Sequence, residues 1–140
     1  MKLKPLASPC AILTAMLIAG CGSDTFCGTD HISAENVNSE LSGEAAYACA
    51  SAEAAENMLD DYGSGGCASA EGFVEDARDA SNEAASLQNE VESYAASACA
   101  NAECVAECAA ANLSASEAQG MASDASNCYW DAQAAYNDDC

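Results

Sequence analysis

Cys99, Cys104 and Cys108 stand closest together among the chain's ten cysteines, in the spacing C-x4-C-x3-C. Three thiolates so placed would suit a soft metal ion. Zinc sites, however, pair cysteines two to four residues apart, twice over, and the plant-type iron–sulfur run is C-x4-C-x2-C. Neither pattern is met. On a helix, Cys104 and Cys108 share a face while Cys99 points roughly opposite, which suits bonds to different neighbours. No metal and no other cofactor is expected. Together with Cys27, Cys49, Cys67, Cys128 and Cys140 they make eight cysteines, with Cys10 and Cys21 lying further toward the N-terminus. An even set in an exported chain reads as a disulfide framework, although counting alone leaves about a hundred pairings open.

Other reactive chemistry is sparse. His31 is the only histidine, so a Ser–His–Asp or Cys–His arrangement would depend on it. It falls in a stretch read as a tether, where nothing orients it, and a solvated polar role is expected. No lysine follows Lys4, which removes Schiff-base chemistry and a phosphate-binding lysine. Gly63-Ser64-Gly65-Gly66 has neither GxGxxG spacing nor a preceding strand. Among 23 Asp and Glu, no pair is singled out as a glycosidase couple. Enzymatic activity is not expected. Asp60-Asp61 and Asn137-Asp138-Asp139 offer hard oxygen ligands, but neither follows the EF-hand ladder. A diffuse cation atmosphere is the expectation there, and an acid-rich, lysine-free surface also suits life in high salt. Trp130 is expected to pack against another helix; the alternative is an exposed anchor for a partner.

Three apolar seams show what must position these residues. Val37, Leu41, Ala45, Ala48, Ala52, Ala55, Leu59 and Tyr62 recur at steps of three and four. Phe73, Ala77, Ala80, Ala84, Leu87, Val91, Tyr94 and Ala98 do the same, as do Ala118, Ala122, Ala125, Tyr129, Ala132 and Tyr136. Alternating steps put one apolar stripe along each helix. Asp76, Glu83 and Glu90 fall on the opposite face of the second. Ser33 is a candidate cap for the first helix, the glycine run stops it, and Ser114-Ala115-Ser116-Glu117 has capping-box spacing. The expectation is an all-α, Ala-rich, disulfide-stapled bundle of about three long helices near 34–62, 68–112 and 115–138. A break in the middle helix near Ser97 to Asn101 is left open.

Alanine seams let backbones approach closely but bury little area per residue. The acids add self-repulsion, and without lysine no Glu–Lys pairs along a helix offset it. Disulfides are the expected remedy.

The N-terminus points to export. Lys2 and Lys4 precede a run from Ala11 to Ala19 that is apolar or small apart from Thr14, the length of a signal-peptide core and too short to span a bilayer. It ends in Leu17-Ile18-Ala19-Gly20-Cys21, which resembles the bacterial lipobox: an aliphatic residue, two small ones, then the lipidated cysteine. The resemblance covers residues 1–21 only. It implies a lipoprotein precursor with signal peptide 1–20 and acyl groups such as palmitate on Cys21. Beyond it the residues themselves read as a tether over 21–32, lipidated at its start, and an acidic Cys-rich helical domain over 33–140. Gly22 is not the Asp of an inner-membrane retention signal, so the outer membrane is favoured.

Charge narrows the partners. Beyond Cys21 a single arginine, Arg78, stands against all 23 acids. Nucleic-acid binding needs Lys and Arg to neutralise phosphates and is excluded on that ground. An anionic membrane surface would repel the domain, so lipid must hold it there. Expected partners are the membrane through its anchor and cations or a basic protein; an oligomer stays open. The function expected is a structural or protein-interaction role in the cell envelope, with an acidic divalent-cation-binding module as the alternative.

One pairing follows from the placement of the turn. With the second hairpin turn at Leu113–Ser114, residues equally far from it lie side by side, which pairs Cys99 with Cys128. The same reasoning weakly pairs Cys49 with Cys140 and leaves Cys67 without a mate.

Overall fold

The computed structural model describes residues 27–140. The expected signal peptide, Cys21 and the first part of the expected tether lie outside the described residues. The domain is all-α: α1 spans Asp30–Tyr62, α2 Cys67–Ala98 and α3 Val105–Asp139. A 3-10 turn at Gly63–Gly66 joins α1 to α2. Each helix packs against both others, and four disulfides staple the three together.

The seams bury as their spacing predicts. Leu41, Ala45, Ala48, Ala52, Ala55 and Leu59 are buried on α1, and Ala77, Ala80, Ala84 and Val91 on α2. Ala118, Ala122, Ala125 and Ala132 are buried on α3. Asp76, Glu83 and Glu90 face solvent. Tyr62 is the exception, 65% exposed at the last position of α1. Leu41 and Val91 are the largest fully enclosed side chains, so close backbone approach rather than bulky packing fills the core. Buried Ser51, Ser81 and Ser114, one on each helix, keep the contact as narrow as alanine does.

The α1–α2 turn is built on glycine. Gly63 takes φ 52°, the left-handed region that favours glycine, and its N–H caps the helix by donating to the Leu59 carbonyl. Gly66 is buried, and a Cβ there would collide with the Met58 carbonyl. α2 starts at Cys67, directly out of this turn.

Two boundaries differ from expectation. α1 begins at Asp30, with Thr29 rather than Ser33 at the cap position, and the Ile32 and Ser33 N–H groups donate to the Thr29 carbonyl at 2.9 and 3.1 Å. The domain therefore reaches into the segment assigned to the tether. The α2–α3 turn lies at 99–104, not at 113–114. Asn101 makes this turn without glycine or proline: its side-chain oxygen accepts from the Glu103 N–H at 3.0 Å and its carbonyl from the Cys104 N–H at 3.1 Å. Ser114 is a buried mid-helix residue, and the apolar seam runs on through it to Ala111 and Cys104. Capping-box spacing there is coincidental.

Moving the turn back by roughly three helical turns changes the partners of Cys49, Cys99, Cys128 and Cys140. The bonds are Cys27–Cys104, Cys49–Cys128, Cys67–Cys140 and Cys99–Cys108. Neither expected pair forms, and Cys67 has a mate. Cys99 and Cys108 do not point to different neighbours, because the turn folds one back onto the other, with Cα atoms 4.5 Å apart.

Candidate functional site

α1 and α3 run parallel in a nearly constant register. Cys27 bonds Cys104 at a separation of 77, Asn38 meets Glu117 at 79 and Cys49 bonds Cys128 at 79. Two covalent links and one hydrogen bond thus fix these helices along their shared length. The Asn38 side-chain amide donates to Glu117 Oε2 at 3.0 Å; its own Oδ1 is shielded from solvent and accepts no hydrogen bond.

Between these helices lies an open groove of about 780 Å³. Glu35, Glu117 and Asp124 line it, together with Leu113 and Met121, and no basic residue does. Leu113 is 62% exposed. On α3 these side chains follow one another at steps of three or four, so acid and apolar groups alternate along one helix face at intervals of about 6 Å.

Two smaller clefts flank α2 and α3. The one of about 220 Å³ is lined by Glu71, Glu75, Arg78, Tyr129 and Tyr136 among others. Arg78 pairs with Asp79 at 3.1 Å across exposed side chains, a contact worth little in water. The other, about 500 Å³, has Trp130 on its rim. Trp130 is 60% exposed and stacks at a tilt on Tyr129, ring centroids 4.8 Å apart. It does not pack into the bundle.

Other residues singled out in the sequence are placed as follows. Asp60-Asp61 and Asn137-Asp138-Asp139 come together at one end of the bundle, at the C-termini of α1 and α3, and all five are exposed. The Cys27 and Cys104 sulfurs and a Glu107 carboxylate lie within 4.8 Å of one another. Since the two sulfurs are bonded to each other, they offer no thiolate to a metal. His31 sits in the first turn of α1, half-buried, with Nδ1 shielded and unpartnered. That environment differs from the solvated tether position expected for it. Asn112 donates to both sulfurs of the Cys99–Cys108 bond at 3.4 Å.

No family model, curated protein or solved structure matches the chain. What the arrangement does chemically is therefore read from its geometry alone: a preformed acidic face held by disulfides. Sequence reasoning missed the groove. The signal was present in Leu113, Glu117, Met121 and Asp124, but a turn placed at 113–114 separated Leu113 from the other three and set α1 against α3 in the wrong register.

Proposed function

We propose that the chain is a lipid-anchored protein of the bacterial cell envelope, acylated at Cys21, with a structural or protein-interaction role. The observation that carries this reading is the lipobox-like Leu17–Cys21 stretch followed closely by Cys27, which is bonded into the bundle. Six residues of chain span at most about 20 Å. A lipid on Cys21 would therefore hold the N-terminal ends of α1 and α3 near the bilayer and project α3, about 50 Å long, away from it. No helix among the described residues is long and apolar enough to cross a membrane, so on this reading acyl groups supply the attachment. The alanine core leaves a stiff, narrow body whose surface, not its interior, meets partners.

Intact mass of the purified protein tests the anchor. A diacylglyceryl cysteine at a new N-terminus is expected at position 21, and Cys21→Ser should release the protein from membranes. A chain that starts elsewhere and carries no lipid would overturn the reading.

The acids gathered at the C-terminal ends of α1 and α3 favour a second reading, an acidic divalent-cation-binding module. Calcium should then raise the melting temperature at concentrations well below those at which NaCl does so by screening. Calcium that merely matches ionic strength would dismiss it.

A further inference from the structure

We propose that the α1–α3 groove is the docking surface for a lysine- or arginine-bearing amphipathic helix of another protein, an inference that rests on the interaction role above. Charge complementarity is the main reason. Glu35, Glu117 and Asp124 line the groove with no basic residue beside them, and the one basic residue among the described residues, Arg78, lines a different cleft and pairs with Asp79. Along α3, Leu113 precedes Glu117, and Met121 stands between Glu117 and Asp124.

The spacing selects a helix. Along α3 the order Leu113, Glu117, Met121, Asp124 alternates apolar and acidic groups turn by turn, so the acids recur after seven residues, about 10 Å. That is the heptad interval at which an amphipathic helix presents successive basic side chains along one edge. From Ala110 to Asp124 the groove runs about 21 Å, or four turns of such a partner. A second copy of this chain is a poor occupant, because it brings the same acids and almost no positive charge. The groove is also rigid before binding. Cys27–Cys104 and Cys49–Cys128 hold its two walls above and below, and the Asn38–Glu117 bond crosses it, so little ordering entropy opposes docking.

The test uses the oxidised full chain in detergent and a synthetic four-turn peptide with lysine along one edge of a leucine face. Titration calorimetry and backbone amide shifts read the binding. Glu117→Gln with Asp124→Asn should weaken affinity tenfold or more, as should Leu113→Ala with Met121→Ala. Glu83→Gln with Glu90→Gln, the same charge change on the outer face of α2, should alter affinity less than twofold. Melting curves of the oxidised variants establish that each is folded. Equal losses from the two acid pairs would overturn the proposal in favour of a diffuse charge effect. So would spermidine or calcium chloride binding as tightly as the peptide with the same variant dependence, and so would amide shifts centred on Trp130 or on the Asp60 and Asp138 end. Membrane release by Cys21→Ser is measured separately, so failure of the groove and failure of the anchor are told apart.

Discussion

At one end of the bundle, two helix N-termini meet the 99–104 turn and two disulfides, Cys27–Cys104 and Cys99–Cys108. At the other, two helix C-termini meet the glycine turn, one disulfide and the acids Asp60, Asp61, Asp138 and Asp139. Helix dipoles favour negative charge at the first end, where Asp30 and Glu107 occupy first turns, and oppose it at the second, where no basic residue occupies a last turn. Packing offsets the difference. Both buried cores are mostly alanine with one leucine and one valine, but Phe73, Tyr129 and Tyr136 pack against the core at the second end, whereas Val37, Leu87, Tyr94 and Met121 do so nearer the first. One end is electrostatically matched and doubly cross-linked; the other is electrostatically opposed and packed by more aromatic rings.

Substitution in the two turns gives the largest contrast. Gly66→Ala forces a Cβ into the Met58 carbonyl and should cost roughly 3 kcal/mol in urea unfolding of the oxidised protein. Ala102→Gly, exposed in the other turn, should change stability by no more than about 0.5 kcal/mol. Similar values for both would show that the two connections are equally permissive.

Disulfide removal comes next. Cys67–Cys140 closes a separation of 73 and Cys99–Cys108 one of 9. Chain entropy assigns roughly 4 and 2.5 kcal/mol to these loops taken singly, and the other bonds narrow that gap. Replacing Cys67 and Cys140 by serine should therefore destabilise by about 1 kcal/mol more than replacing Cys99 and Cys108. The reverse order would place the weaker staple at the acidic end.

Charge neutralisation should change sign between the ends. Asp138→Asn with Asp139→Asn is expected to stabilise by about 0.3–1 kcal/mol and Asp30→Asn to destabilise by a similar amount, both effects shrinking in salt. Melting at low and high NaCl checks this. One sign at both ends would mean that total repulsion outweighs the dipoles. Trp130→Ala marks the lower limit: the residue is 60% exposed, so a loss under about 1 kcal/mol is expected, and a larger one would mean that its contact with Tyr129 supports the aromatic end.

The helical character of the domain was legible because alanine, despite its small size, keeps strict three-and-four spacing with Leu41, Leu59, Val91 and Tyr129 on the stripe. The glycine turn was legible because Gly63 and Gly66 each meet a backbone need that other residues meet poorly. Of the second turn only the open break near Ser97 to Asn101 was legible, and it falls at the observed connection between Ala98 and Val105. Asn101 and two disulfides make it, and these carry no glycine or proline signature, while Ser114 imitates a cap from a buried mid-helix position. From that displacement came both wrong disulfide pairs and the missed groove. His31 was misplaced for a related reason: Thr29 starts α1 through its main-chain carbonyl, with no side-chain cap to announce the helix.

The parallel register of α1 and α3 also has a mechanical meaning. The two helices are rails joined by rungs at Cys27–Cys104 and Cys49–Cys128, and Cys67–Cys140 closes the far end. A pull applied between residue 27 and residue 140 runs through Cys104 and along α3, and α1 cannot slide past it without breaking a covalent bond. Shear, the usual way in which stacked helices yield under load, is blocked. While oxidised, the domain should transmit tension from one end to the other as a strut of nearly fixed length; once reduced, it becomes three thinly packed helices free to slip.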